Sequence, residues 1–371
     1  MNVVFTAVPG HGHVNPMVPL ARTLAARGHR VTFLTGAEMQ ARVAQLGFDC
    51  VAAGPTLAEM QATTLADPGV RALLATEPWK VAAAIFANRA RGVLADLDGI
   101  DLSPDVVVHD AYELAGPVLA ARAGVAWVTH GLGPRWPSFL EERVGTLVAD
   151  LWSGGAPPCG GIGRHAYVEI CPPAVRADDS VATGPMIEAR SEPLEEPPHP
   201  AAGPRQPGRR RIYATLGTFS NAEPAPFRSL LDALAGVDAG VVMTVGDRVD
   251  RHALDPVPRN VVVERYVPQA QTLAGCDLAV CHGGSGTMLA ALGRAVPVVI
   301  VPQGADQFRN APFWARSGAA VVVPAVELTA TTIDSALSAG NLRSAAVSTA
   351  RAIAAMPPVE EVAARVEGLM R

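Results

Sequence analysis

The stretch Cys281-His282-Gly283-Gly284-Ser285-Gly286-Thr287 restricts the fold of this chain more than any other. The run Asp277 to Val280 before it reads as a buried strand, and Met288 to Arg294 after it reads as a helix. Strand, glycine-rich turn and helix in that order aim free backbone N–H groups at an anion, and a phosphate or pyrophosphate is the expected guest. The next strand, Val296 to Val301, runs into Pro302-Gln303-Gly304-Ala305-Asp306-Gln307, a set of hydrogen-bonding groups suited to a sugar. In open α/β sheets ligands bind at this carboxyl edge.

The same grammar runs through both halves. Asn2 to Val8 is a strand, followed by the loop Pro9 to Val14. Asn15 is placed as an N-cap and Pro16 as the first helical residue, and Met17, Leu20, Ala21 and Leu24 share one helix face. Gly28 ends that helix before the strand Val31 to Thr35, which completes a βαβ unit and implies a parallel sheet. Residues 56–97 are helical in pattern, Asp105 to His109 and Ala126 to Thr129 are further strands, and Leu132 to Ile162 is irregular. A proline-rich, aperiodic stretch over 189–209 reads as a linker. A second α/β series starts with Arg211 to Leu216. The expected organisation is a first domain over 1–188, a linker over 189–209, a second domain over 210–356 and a terminal helix over 357–371. The expected fold is α/β, with two doubly wound Rossmann-like domains facing each other across a cleft.

Composition narrows the function. A net charge of −5 with 5% aromatic residues gives no reason to expect nucleic acid or an anionic membrane as partner. No apolar run reaches the length of a membrane span. The five cysteines form no CxxC pair, which reads as free thiols in a reducing compartment. A cytoplasmic location is the expectation.

Three groups carry chemistry. The first is the cradle: Gly283, Gly284 and Gly286 let backbone approach a diphosphate, Ser285 and Thr287 add hydroxyls, and His282 can donate from a ring nitrogen. The lysine of a Walker loop is missing, and so is the acidic residue of a dinucleotide fold. The second is His13, in Gly10-His11-Gly12-His13-Val14-Asn15-Pro16, which reads as a proton acceptor or as a hydrogen-bonded loop histidine. The third is Asp110, directly after an apolar strand. It suits a partner that fixes the tautomer of a histidine, or equally a helix N-cap. Asp96, Asp98, Asp178 and Asp179 read as surface charge, and the histidines show no metal spacing.

On these residues the chain resembles the GT-B glycosyltransferases of family 1, in the bacterial natural-product (antibiotic) branch that includes the calicheamicin and vancomycin enzymes. The likeness rests on "PGHGHVNPMVPLARTLAARGHRVTF" near the amino terminus and on "HGGSGT", "VPVVIVPQGADQ" and "FRNA" between His282 and Asn310. It implies an acceptor-binding first domain, a sugar-nucleotide-binding second domain and a terminal helix that crosses back to the first. His13 aligns with the general base of that family and Asp110 with its partner. His282, Gly284, Ser285, Gly286 and Thr287 align with diphosphate ligands, and Thr218 with a loop approaching the phosphates. Val267, within Tyr266-Val267-Pro268-Gln269, falls in the segment that holds the nucleobase through backbone groups, and Asp306 and Gln307 align with sugar contacts. Where family members that use uridine diphosphate sugars often carry a ribose-binding glutamate, this chain has Ala290. That favours a TDP-sugar as co-substrate, with no cofactor and no metal.

The resemblance thus implies an inverting transfer of a sugar from a TDP-sugar to a hydroxyl of a natural-product aglycone. A sugar-nucleotide epimerase of the same fold, a UDP-sugar-dependent transferase, a nicotinamide oxidoreductase and a non-catalytic activator are the alternatives. Trp79, Phe86, Trp136, Phe139 and Trp152 are candidates for an apolar acceptor pocket, or for core. The partners are small molecules, and a homodimer stays open.

Overall fold

In a computed structural model the chain is described over residues 1–74, 76–135, 145–152, 164–176, 184–194, 199–200, 208–217, 223–304 and 306–370. It divides into two units. The first comprises Met1–Ile170, Ala177–Arg190 and Pro357–Arg371; the second comprises Cys171–Arg176 and Ser191–Met356.

The first unit is built on strands β1 (Asn2–Thr6), β2 (Arg30–Thr35), β3 (Asp49–Ala52), β4 (Val106–Asp110), β5 (Ala126–His130), β6 (Ala166–Glu169) and β7 (Met186–Glu188). They pair in parallel in the order β3-β2-β1-β4-β5-β6-β7. The central strands are continuous apolar runs because both faces of a parallel sheet are covered; every residue of β4 is buried. The helices are α1 (His11–Val14), α2 (Val18–Ala26), α3 (Gln40–Gln45), α4 (Leu57–Ala66), α5 (Pro68–Ala72), α6 (Pro78–Asp96) and α7 (Ala115–Ala123).

The second unit has strands β8 (Arg211–Thr215), β9 (Gly240–Thr244), β10 (Val261–Glu264), β11 (Leu278–Cys281), β12 (Val298–Ile300) and β13 (Ala320–Val322). Again all pairs are parallel, in the order β10-β9-β8-β11-β12-β13. Its helices are α8 (Ala225–Ala235), α9 (Gln269–Leu273), α10 (Ser285–Leu292), α11 (Gln307–Ala315), α12 (Ala330–Ser338) and α13 (Gly340–Ala354). The core lies between one face of the sheet and α8, α12 and α13: Phe227, Leu230, Leu234, Met243, Val280 and Ile333 are among its buried members.

The last helix, α14 (Val359–Glu367), belongs to the first unit and packs on α2. Arg27 clamps Glu367 with two hydrogen bonds, at 2.7 and 2.5 Å, and His29 Nε2 lies 2.8 Å from the same carboxylate. Val359, Val362, Ala363 and Val366 form its buried stripe. In the other direction, Cys171–Arg176 leaves the first sheet to join the second unit, where its turn Pro173–Val175 packs on α11.

Two expectations need correction at the amino terminus. Asn15 is not an N-cap: the helix already starts at His11, with extended Gly10 as the cap. Pro16 lies in a 3-10 turn, Asn15–Met17, inserted between α1 and α2. A proline there lacks the N–H of the α ladder and its ring crowds the carbonyl four residues back, so the chain tightens locally. His13 therefore stands in the first helical turn rather than in a loop before it. Similarly, α10 starts at Ser285, three residues earlier than its apolar pattern marks. Among the described residues no helix is long and apolar enough to cross a membrane, and Cys50, Cys171, Cys276 and Cys281 are free thiols.

Candidate active site

In each sheet the strand order reverses beside the first strand of the unit, between β1 and β4 and between β8 and β11. Such a reversal opens a crevice at the carboxyl ends of the strands. His13 and Asp110 sit at the first of these points and His282 at the second, while Val267 follows β10 and Asp306 follows β12.

In the first unit, α1 follows β1 and brings in His13, while Asp110 is the last residue of β4. His13 Nδ1 lies 3.2 Å from Asp110 Oδ2. The same oxygen accepts the Val8 N–H at 2.7 Å, and Oδ1 accepts those of Tyr112 at 2.6 Å and Glu113 at 3.1 Å. Of the two readings of Asp110 the helix N-cap is not realised: Oδ2 meets the histidine, and Oδ1 closes the turn after β4. It is not the cap of α7, where Leu114 stands. Burial by itself pushes the Asp110 carboxyl up, but His13 and the N–H groups of Val8 and Tyr112 outweigh it and hold the carboxyl below its ordinary value. An ionised carboxylate fixes the Nδ1–H tautomer and leaves Nε2 as the proton-accepting atom. The His13 side chain is 24% exposed and Asp110 is fully buried.

Tyr112 meets the His13 ring edge-on, with centroids 5.5 Å apart, and Phe86 packs on Tyr112 at 5.3 Å. Phe86 therefore reaches the histidine's surroundings through a tyrosine that sequence reasoning missed. Trp79 is partly buried against the apolar core of this unit, and Trp152 is buried in it. Trp136 and Phe139 lie outside the described residues.

In the second unit the cradle forms where β11 gives way to α10. Gly284 is the N-cap and no side chain caps the helix, so its first N–H groups are left for a ligand. The His282 ring is seated between two glycines. A Cβ on Gly284 would stand 2.3 Å from His282 Nε2, and one on Gly217, where φ is +79, would stand 2.5 Å from it. Nδ1 is buried without a hydrogen-bond partner among the described residues. Burial pushes the imidazole down to about 4, against the opposing pull of the Asp306 carboxylate and the Thr215 backbone. His282 is thereby held neutral rather than cationic at physiological pH.

Some expected ligands are turned away from open space. The Thr287 hydroxyl is buried and accepts from Gln269 Nε2 at 3.1 Å; the same nitrogen reaches Tyr213 Oη at 3.3 Å. Gln307 is buried, and its Oε1 accepts the N–H groups of Gln303 at 2.8 Å and Gly304 at 3.1 Å, which shapes the loop after β12. Through these oxygens both side chains buttress the cradle and the loop beside it. Asp306 is exposed, with Oδ2 accepting from Asn310 at 2.6 Å. Val267 is buried. Ser285 and Gly286 lead the helix, and space around a Cβ on Gly286 is open. Thr218 lies outside the described residues.

Sequence reasoning also missed a buried ion pair beside Asp110. Arg89 Nε is 3.1 Å from Glu113 Oε2, and the two side chains are 1% and 2% exposed. The signal was an arginine among Val81, Ala83, Ala87, Ala90, Val93 and Leu94, the buried face of α6.

The chain is similar to several known proteins. Residues 228–369 match the family model described as the C-terminal domain of erythromycin biosynthesis protein CIII-like proteins. The L-demethylnoviosyl transferase of Streptomyces niveus is 35% identical over 332 residues, 87% of this chain and 85% of that protein. The elloramycin glycosyltransferase ElmGT of Streptomyces olivaceus is 30% identical over 380 residues, covering 98% and 96%. Spinosyn rhamnosyltransferase SpnG, solved in complex with thymidine diphosphate, shares the fold with a TM-score of 0.81 at 23% identity, covering 99% and 100% of the two chains.

Proposed function

The chain belongs to the family 1 glycosyltransferases of GT-B fold, in the branch of bacterial antibiotic biosynthesis, and on that footing we propose the following reaction. A deoxysugar passes from a thymidine diphosphate donor to a hydroxyl of a natural-product aglycone, with inversion at the anomeric carbon. The observation that carries this reading is the buried Asp110 holding His13 Nδ1, which leaves Nε2 without a hydrogen bond among the described residues.

His13 Nε2 takes the proton of the acceptor hydroxyl as its oxygen bonds to the anomeric carbon. The bond from that carbon to the β-phosphate oxygen breaks, and the electron pair leaves with the diphosphate. Asp110 stabilises the imidazolium that forms. The growing charge on the diphosphate meets the N-terminal N–H groups of α10 and the His282 ring, so the reaction calls on no metal. Two features support thymidine diphosphate over uridine diphosphate. Ala290 offers no acceptor to a ribose 2′-hydroxyl, and a relative of the same fold binds thymidine diphosphate.

General-base assistance contributes about 10² to 10⁴ in rate. His13→Ala is expected to lose that factor in turnover while binding thymidine diphosphate as the wild type does, read by calorimetry beside initial rates. Wild-type turnover in this variant would remove His13 from the mechanism. Tighter binding of uridine diphosphate than of thymidine diphosphate would refute the reading of Ala290.

A further inference from the structure

The Arg89–Glu113 pair is placed where its charges matter to His13. Glu113 lies in the same turn as Asp110: its N–H donates to Asp110 Oδ1 at 3.1 Å, and its Oε1 accepts the Ala115 N–H at 3.0 Å. Arg89 reaches in from α6, and besides Glu113 it donates to the carbonyls of Pro55 at 2.5 Å and Ala53 at 3.2 Å. Two buried carboxylates therefore share one turn, with one guanidinium against the outer of them.

An ion pair taken wholly out of water is weak evidence for stability, since apolar residues of like volume often serve as well. Two carboxylates this close cannot both stay ionised without compensation. Burial, and after it the Asp110 carboxylate, push the Glu113 carboxyl up and outweigh the opposing pull of Arg89 and the Ala115 N–H, so it lies above its ordinary value. The Arg89 guanidinium is placed to offset any charge on Glu113, which would leave Asp110 as the net negative charge beside His13.

We propose that Arg89 and Glu113 are a positioning pair that sets the proton affinity of His13 by balancing the charge around Asp110. This rests on the reading of His13 as the base. The other ionisable groups around the turn do not supply the balance. His130, next to Asp110 on β5, donates Nδ1–H to the Gly131 carbonyl and is held neutral, pushed down to about 4 by burial. His109 on β4 has its Nδ1 on the carbonyls of Asp110 and Glu113 and its Nε2 on Thr129. Of the acidic groups near α6, Glu59 of α4 is tied to Thr56, and Asp96 is tied to the Gly54 N–H.

The test reads His13 directly, by NMR titration of the imidazole signal assigned through His13→Ala, beside the pH dependence of kcat/KM. Glu113→Gln leaves Arg89 uncompensated near Asp110, so the His13 midpoint is expected to fall. A unit charge just beyond a contacting carboxylate moves it by roughly one pH unit. Arg89→Met/Glu113→Gln removes both charges and is expected to return the midpoint to the wild-type value, as is Arg89→Lys. A purely structural pair would instead show the double variant at least as perturbed as the single. An unchanged midpoint in Glu113→Gln, or an equal shift in the double variant, overturns the proposal. If Glu113→Gln does not fold, a displaced midpoint in the double variant overturns it alone. The acid limb of kcat/KM is expected to follow the midpoint in every variant. A limb that stays while the midpoint moves refutes His13 as the base and leaves the charge coupling standing.

Discussion

Replacing Gly284 by alanine isolates the contribution of the His282 seat. The backbone tolerates the change, because Gly284 has φ −61 and ψ 131, an ordinary extended conformation. The new Cβ would stand 2.3 Å from His282 Nε2 and 2.8 Å from Cε1, whereas real Cβ contacts are essentially never under 3.0 Å. The ring must therefore retreat by about 0.7 Å or more, the difference of those two distances, to reach even that limit. Its far side is closed, since Nδ1 is already buried. Overpacking of this kind costs about 1–3 kcal/mol of stability. On the proposed mechanism the displaced Nε2 also loses a hydrogen bond to a charged diphosphate, which is about 1.5–3 kcal/mol, or roughly 10- to 100-fold in affinity. The assay is urea unfolding and calorimetry with thymidine diphosphate on the wild type, Gly284→Ala, His282→Ala and the double variant. In the His282→Ala background the clash has no partner, so Gly284→Ala is expected to be nearly neutral for stability there. Equal destabilisation in both backgrounds, or wild-type affinity in a folded Gly284→Ala protein, would refute the argument.

Two further expectations concern acid. Glu367 is drawn down to about 2, first by the hydrogen bond from Arg27 and then by that from His29. A depressed carboxyl contributes stability above its unfolded value and loses it as pH falls through the folded one. Hydrogen-exchange protection in residues 359–367, relative to the intrinsic rate at each pH, should therefore fall between about pH 4.5 and pH 2, and with added salt because the clamp is exposed; protection indifferent to both would refute the clamp. His130 is depressed to about 4 by burial, so the unfolded chain binds its proton first as pH drops below about 6.5. That linkage removes on the order of 3 kcal/mol by about pH 4. His130→Gln should flatten the pH dependence of urea unfolding by that amount, and an unflattened profile would show that the imidazole is solvated.

The strands of both sheets were legible where they are buried on both faces. Val106-Val107-Val108 and Leu278-Ala279-Val280 are uninterrupted apolar runs, and their carboxyl ends led directly to Asp110 and His282. Strand β7 is short with exposed Met186, and β6 is a four-residue Ala-Tyr-Val-Glu, so neither stands out from irregular surroundings. Helix α11 was hidden by its polar start at Gln307 and by Pro312 inside it. Within the site, which residues stand at the strand ends followed from topology, but where their side chains point did not. Gln307 and Thr287 satisfy neighbouring backbone and side-chain groups, a choice decided by local geometry. The Arg89–Glu113 pair joins residues 24 apart in sequence, and only the packing of α6 on the sheet brings them together.

The placement of α14 has a consequence for biogenesis. A ribosome emits residues 357–370 after every residue of the second unit, yet their apolar stripe completes the first. During translation the docking face of α2 waits uncovered while a whole second sheet is being made. A release or cleavage event that removes these residues would leave the amino-terminal fold with a permanently open flank, and chaperone capture or self-association there is the expected fate.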